Sequence, residues 1–412
     1  MTRTPRLHIP HPPARPGDTP DFSYVDISPA GAVPRPEVTT RLRDIDRSLA
    51  FEMVRVLDDE HAAVGPWNPH LDHHDLQVGL RYMLLTRLFD ERMQRMQRQG
   101  KISFYMKSLG EEAVSVAAAQ ALEPGDMLFP SYRNQGLQFA RGRNPVDLMC
   151  QLLSNTRDMC KGRQMPVMYH WARGNIFSVS GNLTTQYPQA VGWAMASAIK
   201  GEEDIAAAWI GEGSSAEADF HHAMTFASVY LAPVVLNIVN NQWAISTFQG
   251  FAGGERRPFA ARGPGYGFPG VRVDGNDFLA VFAVTRWAAE RARLGIGPTL
   301  IEHVTYRADA HSTSDDPSRY RPRDEWKAWP LGDPLLRLKA HMIGENAWSE
   351  QQHEALTAEL NAQLDEAWEE ACGFGTMTDG PRLDRNELFE DVFKDVPPHL
   401  IRQRDQLRDL ED

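Results

Sequence analysis

The sequence predicts an α/β protein with a mostly parallel β-sheet flanked by helices. Four short runs are apolar or β-branched and predict buried strands: residues 204–210, 233–241, 270–275 and 299–307. Two segments between them, 216–231 and 277–293, have the apolar spacing of helices. Buried strands that alternate with helices are typical of parallel sheets covered on both faces.

The composition excludes several classes of protein. A chain of 412 residues with 42% hydrophobic and 24% charged residues is long enough for a large core and is typical of globular proteins. Its net charge of -12 argues against a nucleic-acid surface, and apolar runs such as 206–210 are too short to span a membrane. Three cysteines in so long a chain indicate a reducing compartment and no disulfide framework. None of them forms a CxxC pair, so we expect no structural zinc site. The N-terminus lacks the apolar core of a signal peptide, so we expect a bacterial-type cytoplasmic protein.

A proline-rich start and a charged end flank the predicted α/β domain. We expect residues 1–70 to form an extended N-terminal arm with an entry segment, either flexible or laid over a partner. Residues 71–330 should form the α/β domain, which opens with helices at 76–99 and 111–122. Residues 331–412 are predicted to form a helical C-terminal segment.

Two polar motifs follow successive predicted strands. Gly211-Glu212-Gly213 ends the first strand, and Asn240-Asn241 ends the second. Residues 214–239 between them are enough for one turn, a helix and one strand. Because a right-handed crossover leaves the carboxyl ends of parallel strands side by side, we expect Glu212 and Asn241 to meet in one place.

The chemistry of these residues suits a magnesium ion and a diphosphate. A carboxylate, an amide oxygen and a backbone carbonyl are hard ligands that favour octahedral magnesium. Gly213 would let a diphosphate approach the backbone, and a helix beginning near Ser215 would offer it free N–H groups. An ordinary strand-to-helix turn followed by an asparagine-rich loop is the alternative.

The paired motifs resemble the thiamine diphosphate motif, in which GDG is followed at a similar distance by NN. Here glutamate replaces the usual aspartate. Over residues 75–400 the chain is similar to the alpha subunits of the decarboxylating component of branched-chain 2-oxo acid dehydrogenase complexes. The resemblance is carried by KISFYMKSLGEEA, CKGRQMPVMYH, NNQWAIST, AARGPGYG, RVDGND and TYRADAHSTSDDPSRYR. It implies a thiamine-diphosphate-binding fold and decarboxylation of branched-chain 2-oxo acids, with the acyl group passed to a lipoyl group of the acyltransferase core.

The resemblance also implies roles for particular residues. Glu212, Asn241 and the backbone carbonyl of Trp243 match the magnesium ligands of the family. The further cofactor-binding positions are Tyr132, Arg133, Leu183, Gly211, Gly213, Ser214 and His311, and His311 is also the candidate catalytic residue. A potassium site of the family matches Ser180, Asn182, Thr185 and Gln186, although Gly181-Asn182 stands where the family usually has Ser-Pro.

His311 lies in a polar loop, residues 308–326, that has few apolar anchors. We expect this loop to order when the cofactor binds. Ser312 matches a serine that is phosphorylated in mitochondrial relatives. We do not expect that regulation in a chain of bacterial type.

The chemistry that the resemblance implies needs a glutamate beyond the aminopyrimidine ring of the cofactor, and in the family a beta subunit supplies it. Glu111 and Glu112 begin an alanine-rich helix, where acids favour the dipole, so we interpret them as helix-start residues and not as substitutes. We therefore expect half an active site and an α2β2 heterotetramer, with the cofactor between one alpha and one beta chain. Gly192 and Ala196, one turn apart, predict close helix packing, with alpha against alpha as one arrangement.

Three alternatives stay open. A pyruvate- or acetoin-specific relative would share the metal motif, so the branched-chain assignment depends on residues 163–166 and 312–316. A non-catalytic scaffold subunit is the second alternative, although it would need neither Glu212 nor Asn241. The letters GYGFPG at 265–270 match a dinucleotide fingerprint, but they lead into a predicted strand, whereas a true fingerprint opens a helix.

Overall fold

A six-stranded parallel β-sheet lies at the centre of the protein, and the computed structural model describes residues 7–409. The strands in chain order are β1 (Met53–Val54), β2 (Met127–Phe129), β3 (Ala206–Gly211), β4 (Val234–Asn240), β5 (Trp243–Ala244), β6 (Thr247–Phe248), β7 (Gly270–Asp274) and β8 (Thr299–Val304). The sheet has the order β1-β7-β8-β4-β3-β2 with every neighbouring pair parallel, while β5 and β6 form a separate antiparallel pair.

Helices connect the strands and cover both faces of the sheet. They are α1 (His73–Arg98), α2 (Glu112–Ala121), α3 (Gln135–Ala140), α4 (Pro145–Leu153), α5 (Gln186–Lys200), α6 (Ala218–Tyr230), α7 (Arg262–Tyr266), α8 (Phe278–Arg293), α9 (Pro334–Gly344), α10 (Glu350–Gly373) and α11 (Pro398–Asp409). Helix α6 is the crossover from β3 to β4, and α8 is the crossover from β7 to β8.

The alternation of side chains along β3 shows how the sheet divides the core. Ala207 and Trp209 join one buried cluster with α1, α2 and α8, whereas Ala206, Ala208 and Ile210 join another with α5 and α6. Successive residues of a strand point to opposite faces, so a strand that is apolar throughout is covered on both sides. This explains why the strand is a continuous apolar run in the sequence.

The predicted α/β class with a mostly parallel sheet is confirmed. Strands β4, β7 and β8 fall within their predicted runs, and β3 ends one residue beyond its run. Helices α1 and α2 correspond to the two helices predicted at the start of the domain. Strands β1 and β2 were not predicted, because runs of two and three residues are too short to show a period. The GYGFPG segment ends α7 and leads into β7, as expected for a segment that is not a dinucleotide fingerprint.

The N-terminal arm and the C-terminal segment both pack against the α/β core. Phe22 of the arm contacts Tyr306 and Trp329 edge to face, at ring distances of 5.4 and 5.1 Å. Leu338 of α9 and Leu360 of α10 are fully buried in the same cluster as the helices that cover β7. The described part of the arm therefore lies over its own chain. Residues 1–6 and 410–412, at its start and at the end of the C-terminal segment, lie outside the described residues, and the three-part division stays a prediction.

Between residues 7 and 409, the helices are all too short or too polar to cross a membrane. The cytoplasmic location expected from the sequence stays a prediction.

Candidate cofactor and metal site

The two predicted motifs come together at the carboxyl edge of the sheet. Strands β3 and β4 are neighbours in register, with Gly211 opposite Val239. Glu212 follows the last residue of β3, and Asn241 follows the last residue of β4. Both residues therefore leave the sheet at the same edge, where open α/β sheets bind their ligands.

A cavity of about 590 Å³ opens at this edge. A volume of several hundred Å³ is typical of a cofactor pocket. Every residue that the resemblance implies for cofactor or magnesium binding lines the cavity: Tyr132, Arg133, Leu183, Gly211, Glu212, Gly213, Ser214, Asn241, Trp243 and His311. Elements far apart in the chain thus contribute to one site.

Glu212 is buried and only partly satisfied. It is 1% exposed, and its Oε1 atom has no hydrogen-bond partner among the described residues. Burial raises the pKa of Glu212 to about 7. A buried carboxylate oxygen without a partner is costly unless a donor or a cation reaches it, so this atom fits a metal ligand.

Two further oxygens at this edge can complete a metal-binding set. Asn241 Nδ2 donates to Glu111 Oε1 over 2.7 Å, so Asn241 Oδ1 faces away from that carboxylate. The Trp243 carbonyl accepts from Arg307 Nη1 over 2.7 Å, which uses one of its two lone pairs. Across residues 7–409, no three His, Cys, Asp or Glu side chains group as a metal site. A metal here would depend on carboxylate, amide and carbonyl oxygens, which suits magnesium.

The two glycines beside Glu212 have different surroundings. A Cβ atom on Gly213 would lie 2.4 Å from Ala244 Cβ, so the backbone here passes too close for a side chain. A Cβ atom on Gly211 would meet nothing within 4 Å, because this residue faces the open cavity.

The predicted start of the following helix, near Ser215, is wrong. Residues Gly213–Ala216 form a 3-10 helix, and α6 begins at Ala218. The N–H and Oγ of Ser215 both donate to the Glu212 carbonyl, which tightens the turn before α6. The backbone N–H groups nearest the cavity therefore belong to this tight turn.

Hydrogen bonds link Tyr132, Arg133 and His311. Arg133 donates to the carbonyls of His311, over 2.9 Å, and of Lys107. Tyr132 Oη lies 3.2 Å from His311 Nε2. Burial, with the charges of Arg133 and Arg307, lowers the pKa of His311 to about 3, so its ring is neutral at pH 7. One guanidinium with two neutral hydrogen-bonding rings suits the oxygens of a diphosphate.

The loop that carries His311 is anchored by polar contacts. The Thr313 N–H donates to the Tyr105 carbonyl over 3.0 Å, and the Tyr105 N–H donates to Thr313 Oγ1 over 3.1 Å. Asp315 accepts from the His311 N–H over 2.8 Å and from Tyr320 Oη over 2.6 Å. The anchors are polar, in line with the composition of the loop. Its ordering upon cofactor binding stays a prediction.

The residues of the implied potassium site are only partly brought together. Ser180, Asn182 and Gln186 line a small cavity of about 40 Å³ next to the cofactor cavity. Gln186 Oε1 is buried and has no hydrogen-bond partner within the described range. Thr184 lines this cavity and Thr185 does not; the Thr185 hydroxyl donates to the Asn182 carbonyl over 3.2 Å. Potassium binding stays a prediction.

Glu111 belongs to this site, although the sequence pattern did not indicate it. It precedes the first residue of α2, as expected for a helix-start residue. However, it is 3% exposed, it accepts from Asn241, and its Oε1 lies 3.6 Å from Arg133 Nε. Burial raises its pKa. The helix-start interpretation was therefore incomplete, because only the contact with Asn241, 130 positions away, reveals the second role.

Comparison with known proteins agrees with this geometry. Residues 80–376, more than half of the chain, match the family model of the dehydrogenase E1 component. Residues 3–41 match the model of the 2-oxoisovalerate dehydrogenase E1 alpha subunit N terminal region.

Full-length relatives are also similar. The chain is 58% identical over 402 residues to the 2-oxoisovalerate dehydrogenase subunit alpha of Pseudomonas aeruginosa, with 98% of each chain covered. It is 36% identical over 404 residues to the mitochondrial 2-oxoisovalerate dehydrogenase subunit alpha of Homo sapiens, with 96% of this chain and 88% of the relative covered. The corresponding Dictyostelium discoideum subunit is 38% identical over 379 residues, with 90% of this chain and 83% of the relative covered.

The fold and the site thus define the class of dehydrogenase E1 components. Within that class, the chain belongs to the family of 2-oxoisovalerate dehydrogenase alpha subunits. The resemblance described above is confirmed. Membership implies thiamine diphosphate as the cofactor and a beta subunit as the partner.

Proposed function

We propose that this chain is the alpha half of an enzyme that decarboxylates branched-chain 2-oxo acids with thiamine diphosphate and magnesium. The observation that carries the proposal is the unpartnered Glu212 Oε1, buried beside Asn241 in a cavity that Arg133 also lines. A carboxylate kept without a partner costs stability, so its retention at this position favours a bound cation.

Different residues of the cavity would hold the magnesium ion and the diphosphate of the cofactor. Glu212, Asn241 and the Trp243 carbonyl would hold magnesium, and Arg133 with the turn at Gly213-Ser214 would hold the diphosphate. When bound, thiamine diphosphate would supply the nucleophilic carbon and the electron sink that decarboxylation of a 2-oxo acid needs. Neutral His311 would act as a hydrogen-bonding group toward the bound cofactor and is the candidate catalytic residue of this chain.

This chain supplies only part of the catalytic machinery. Within the described part of the chain, Glu212 is the sole acidic residue lining the large cavity, and the metal site would use it. A glutamate for the aminopyrimidine ring must then come from elsewhere. Leu183, Ile245 and Phe251 line the same cavity and are each at least half exposed, which favours burial against a second chain. We propose that this second chain is the beta subunit and that it supplies the missing glutamate.

The proposed assembly is an α2β2 heterotetramer that delivers the acyl group to a lipoyl-bearing acyltransferase core. A second apolar surface supports further subunit contacts. It consists of Phe226, Val229, Tyr230 and Leu231 at the end of α6, which are 53–69% exposed. Gly192 has no atom within 4 Å of a Cβ built on it, in line with a helix face that is open to a neighbour.

The test is reconstitution of the enzyme with its beta subunit. The alpha chain is co-expressed with the neighbouring gene product and assayed for decarboxylation of 3-methyl-2-oxobutanoate, other branched 2-oxo acids and pyruvate, and for cleavage of acetoin. We expect magnesium-dependent turnover of the branched substrates by the complex and a loss of nearly all turnover in the alpha chain alone. Full activity of the isolated alpha chain would contradict the two-chain site, and a preference for pyruvate would contradict the substrate class.

A further inference from the structure

Glu111 contacts two proposed cofactor-binding residues at once. Its Oε1 atom accepts from Asn241 Nδ2 over 2.7 Å and lies 3.6 Å from Arg133 Nε. All three side chains belong to residues that are at most 8% exposed, so water does not compete freely for these contacts. Glu111 lies on the wall of the small cavity and is not among the residues that line the large one.

The hydrogen bond to Glu111 decides which way the Asn241 amide points. An asparagine side chain presents an oxygen acceptor on one side and an N–H2 donor on the other, and an ionised carboxylate can only accept. Glu111 therefore selects the orientation with Nδ2 toward itself and Oδ1 turned away. The Trp243 N–H donates to Oδ1 over 3.2 Å, which supports the same orientation and leaves one oxygen lone pair free.

We propose that Glu111 is a positioning residue that keeps Asn241 Oδ1 turned toward the magnesium site. The inference rests on the proposed function, because it assumes that magnesium binds between Glu212 and Asn241. If the amide were flipped, its N–H2 group would face the cation and would have to turn before a metal could bind. Partners that orient metal ligands in this way typically change metal affinity about 10–100-fold when they are removed.

Glu112 provides a matched control on the same turn of the chain. It is also fully buried, but it faces the other way, where it accepts from Arg87 Nε over 2.8 Å and from the Gly110 N–H over 2.9 Å. It lines neither cavity. A change at Glu112 should therefore affect stability without affecting the metal.

The first experiment compares Glu111→Gln with Glu112→Gln in the complex co-purified with its beta subunit. Magnesium is titrated at saturating thiamine diphosphate, followed by tryptophan fluorescence and, with manganese in its place, by electron paramagnetic resonance. We expect Glu111→Gln to weaken metal binding at least about tenfold, since glutamine can present its own N–H2 group to Asn241. Glu112→Gln should lower the Tm and keep the metal affinity of the wild type. Unchanged metal affinity in a folded Glu111→Gln protein would overturn the inference.

The second experiment exchanges the two groups in the double variant Glu111→Gln with Asn241→Asp. The introduced glutamine can then donate to the introduced aspartate, and either oxygen of that carboxylate can face the metal, with the total charge of the site unchanged. We expect the double variant to bind magnesium within about threefold of the wild type, because the metal ligand again has a hydrogen-bond partner that holds it in place. Asn241→Asp alone, which places two carboxylates side by side, should bind worse than the double variant.

The double variant also tests the positioning role of Glu111 if the Glu111→Gln protein does not fold. A folded double variant with near wild-type affinity supports the positioning role, and one that binds no better than Asn241→Asp overturns it. Failure of the proposed function has a different signature: the wild-type complex would then show no magnesium-dependent binding of thiamine diphosphate.

Discussion

Two clusters of buried charged side chains lie at the same carboxyl edge of the sheet and differ in how fully they are paired. At the ends of β3 and β4, Glu212 Oε1 has no hydrogen-bond partner among the described residues and faces a cavity. At the end of β7, Asp274 accepts from Arg337 Nη1 over 2.7 Å and lies 3.6 Å from Arg55 Nε. In the second cluster the Asp274 carboxylate is paired with arginines, whereas in the first cluster Glu212 Oε1 is left for a ligand.

The paired cluster joins segments that are distant in the chain. Asp277 Oδ2 accepts from the N–H groups of Val56 and Leu57 over 2.7 and 2.6 Å, and its Oδ1 accepts from the Ala280 N–H at the start of α8. Arg337 links this group to α9. These buried carboxylates all have hydrogen-bond or ion-pair partners, and their contacts hold the arm, the sheet and the C-terminal segment together. The incomplete pairing of Glu212 is therefore a property of the site and not of the edge as a whole.

The largest effect is expected from breaking the paired cluster. Arg337→Met would remove the Arg337 guanidinium from buried Asp274 and Asp277 and leave only Arg55 beside Asp274. Loss of one partner of a buried pair typically costs about 3–5 kcal/mol. Denaturant unfolding of the purified chain measures the loss. Arg81→Met is the matched control, since its pair with Glu359 is exposed and should contribute less than about 1 kcal/mol. Equal losses of unfolding free energy in the two variants would contradict the distinction between the buried and the exposed ion pair.

The unpaired cluster should respond in the opposite way. Glu212→Gln removes a metal ligand, so magnesium-dependent binding of thiamine diphosphate should weaken at least about a hundredfold, more than when a residue that only orients a ligand is removed. Without ligands, the free energy of unfolding should stay equal or rise, because a buried carboxylate without a partner becomes neutral. Calorimetry measures the change in cofactor binding, and denaturant unfolding measures the change in stability. A variant that loses stability as Arg337→Met does would show that Glu212 is structural.

A smaller effect, on the pH dependence of the free energy of unfolding, is expected from His303, which does not line the large cavity. His303 Nε2 lies 2.9 Å from Asn237 Oδ1, its Nδ1 is buried without a partner in the described structure, and burial lowers its pKa from 6.5 to about 3. Between these values the unfolded chain binds a proton that the folded chain does not. Stability should thus fall as the pH falls below 6.5, by about 2 kcal/mol between pH 7 and pH 5.

His303→Gln removes this titration and should flatten the pH dependence by the same amount. Unfolding free energies of the wild type and the variant at pH 7 and pH 5 provide the measurement. Parallel pH profiles in the two proteins would show that His303 does not contribute to the acid sensitivity.

Much of the site could be predicted from the sequence. Glu212 and Asn241 were found because each follows an apolar strand directly, and the order of strands places their ends together. The start of α6 was missed, because the residues after Glu212 have helical composition but turn more tightly around its carbonyl. Strand β1 was missed because it has only two residues, and its place in the sheet depends on pairing with β7.

By itself, the sequence determined the α/β alternation, the glycine turn around Glu212, the asparagine pair and the family, since these depend on local patterns of residues. Only the tertiary structure decided which glutamate of the pair at 111–112 faces the site, and that Arg337 completes the cluster at Asp274. The deciding contacts join positions 130 and 63 residues apart. A buried charge and an exposed one have the same letter in a sequence, and packing alone determines which of them keeps a partner.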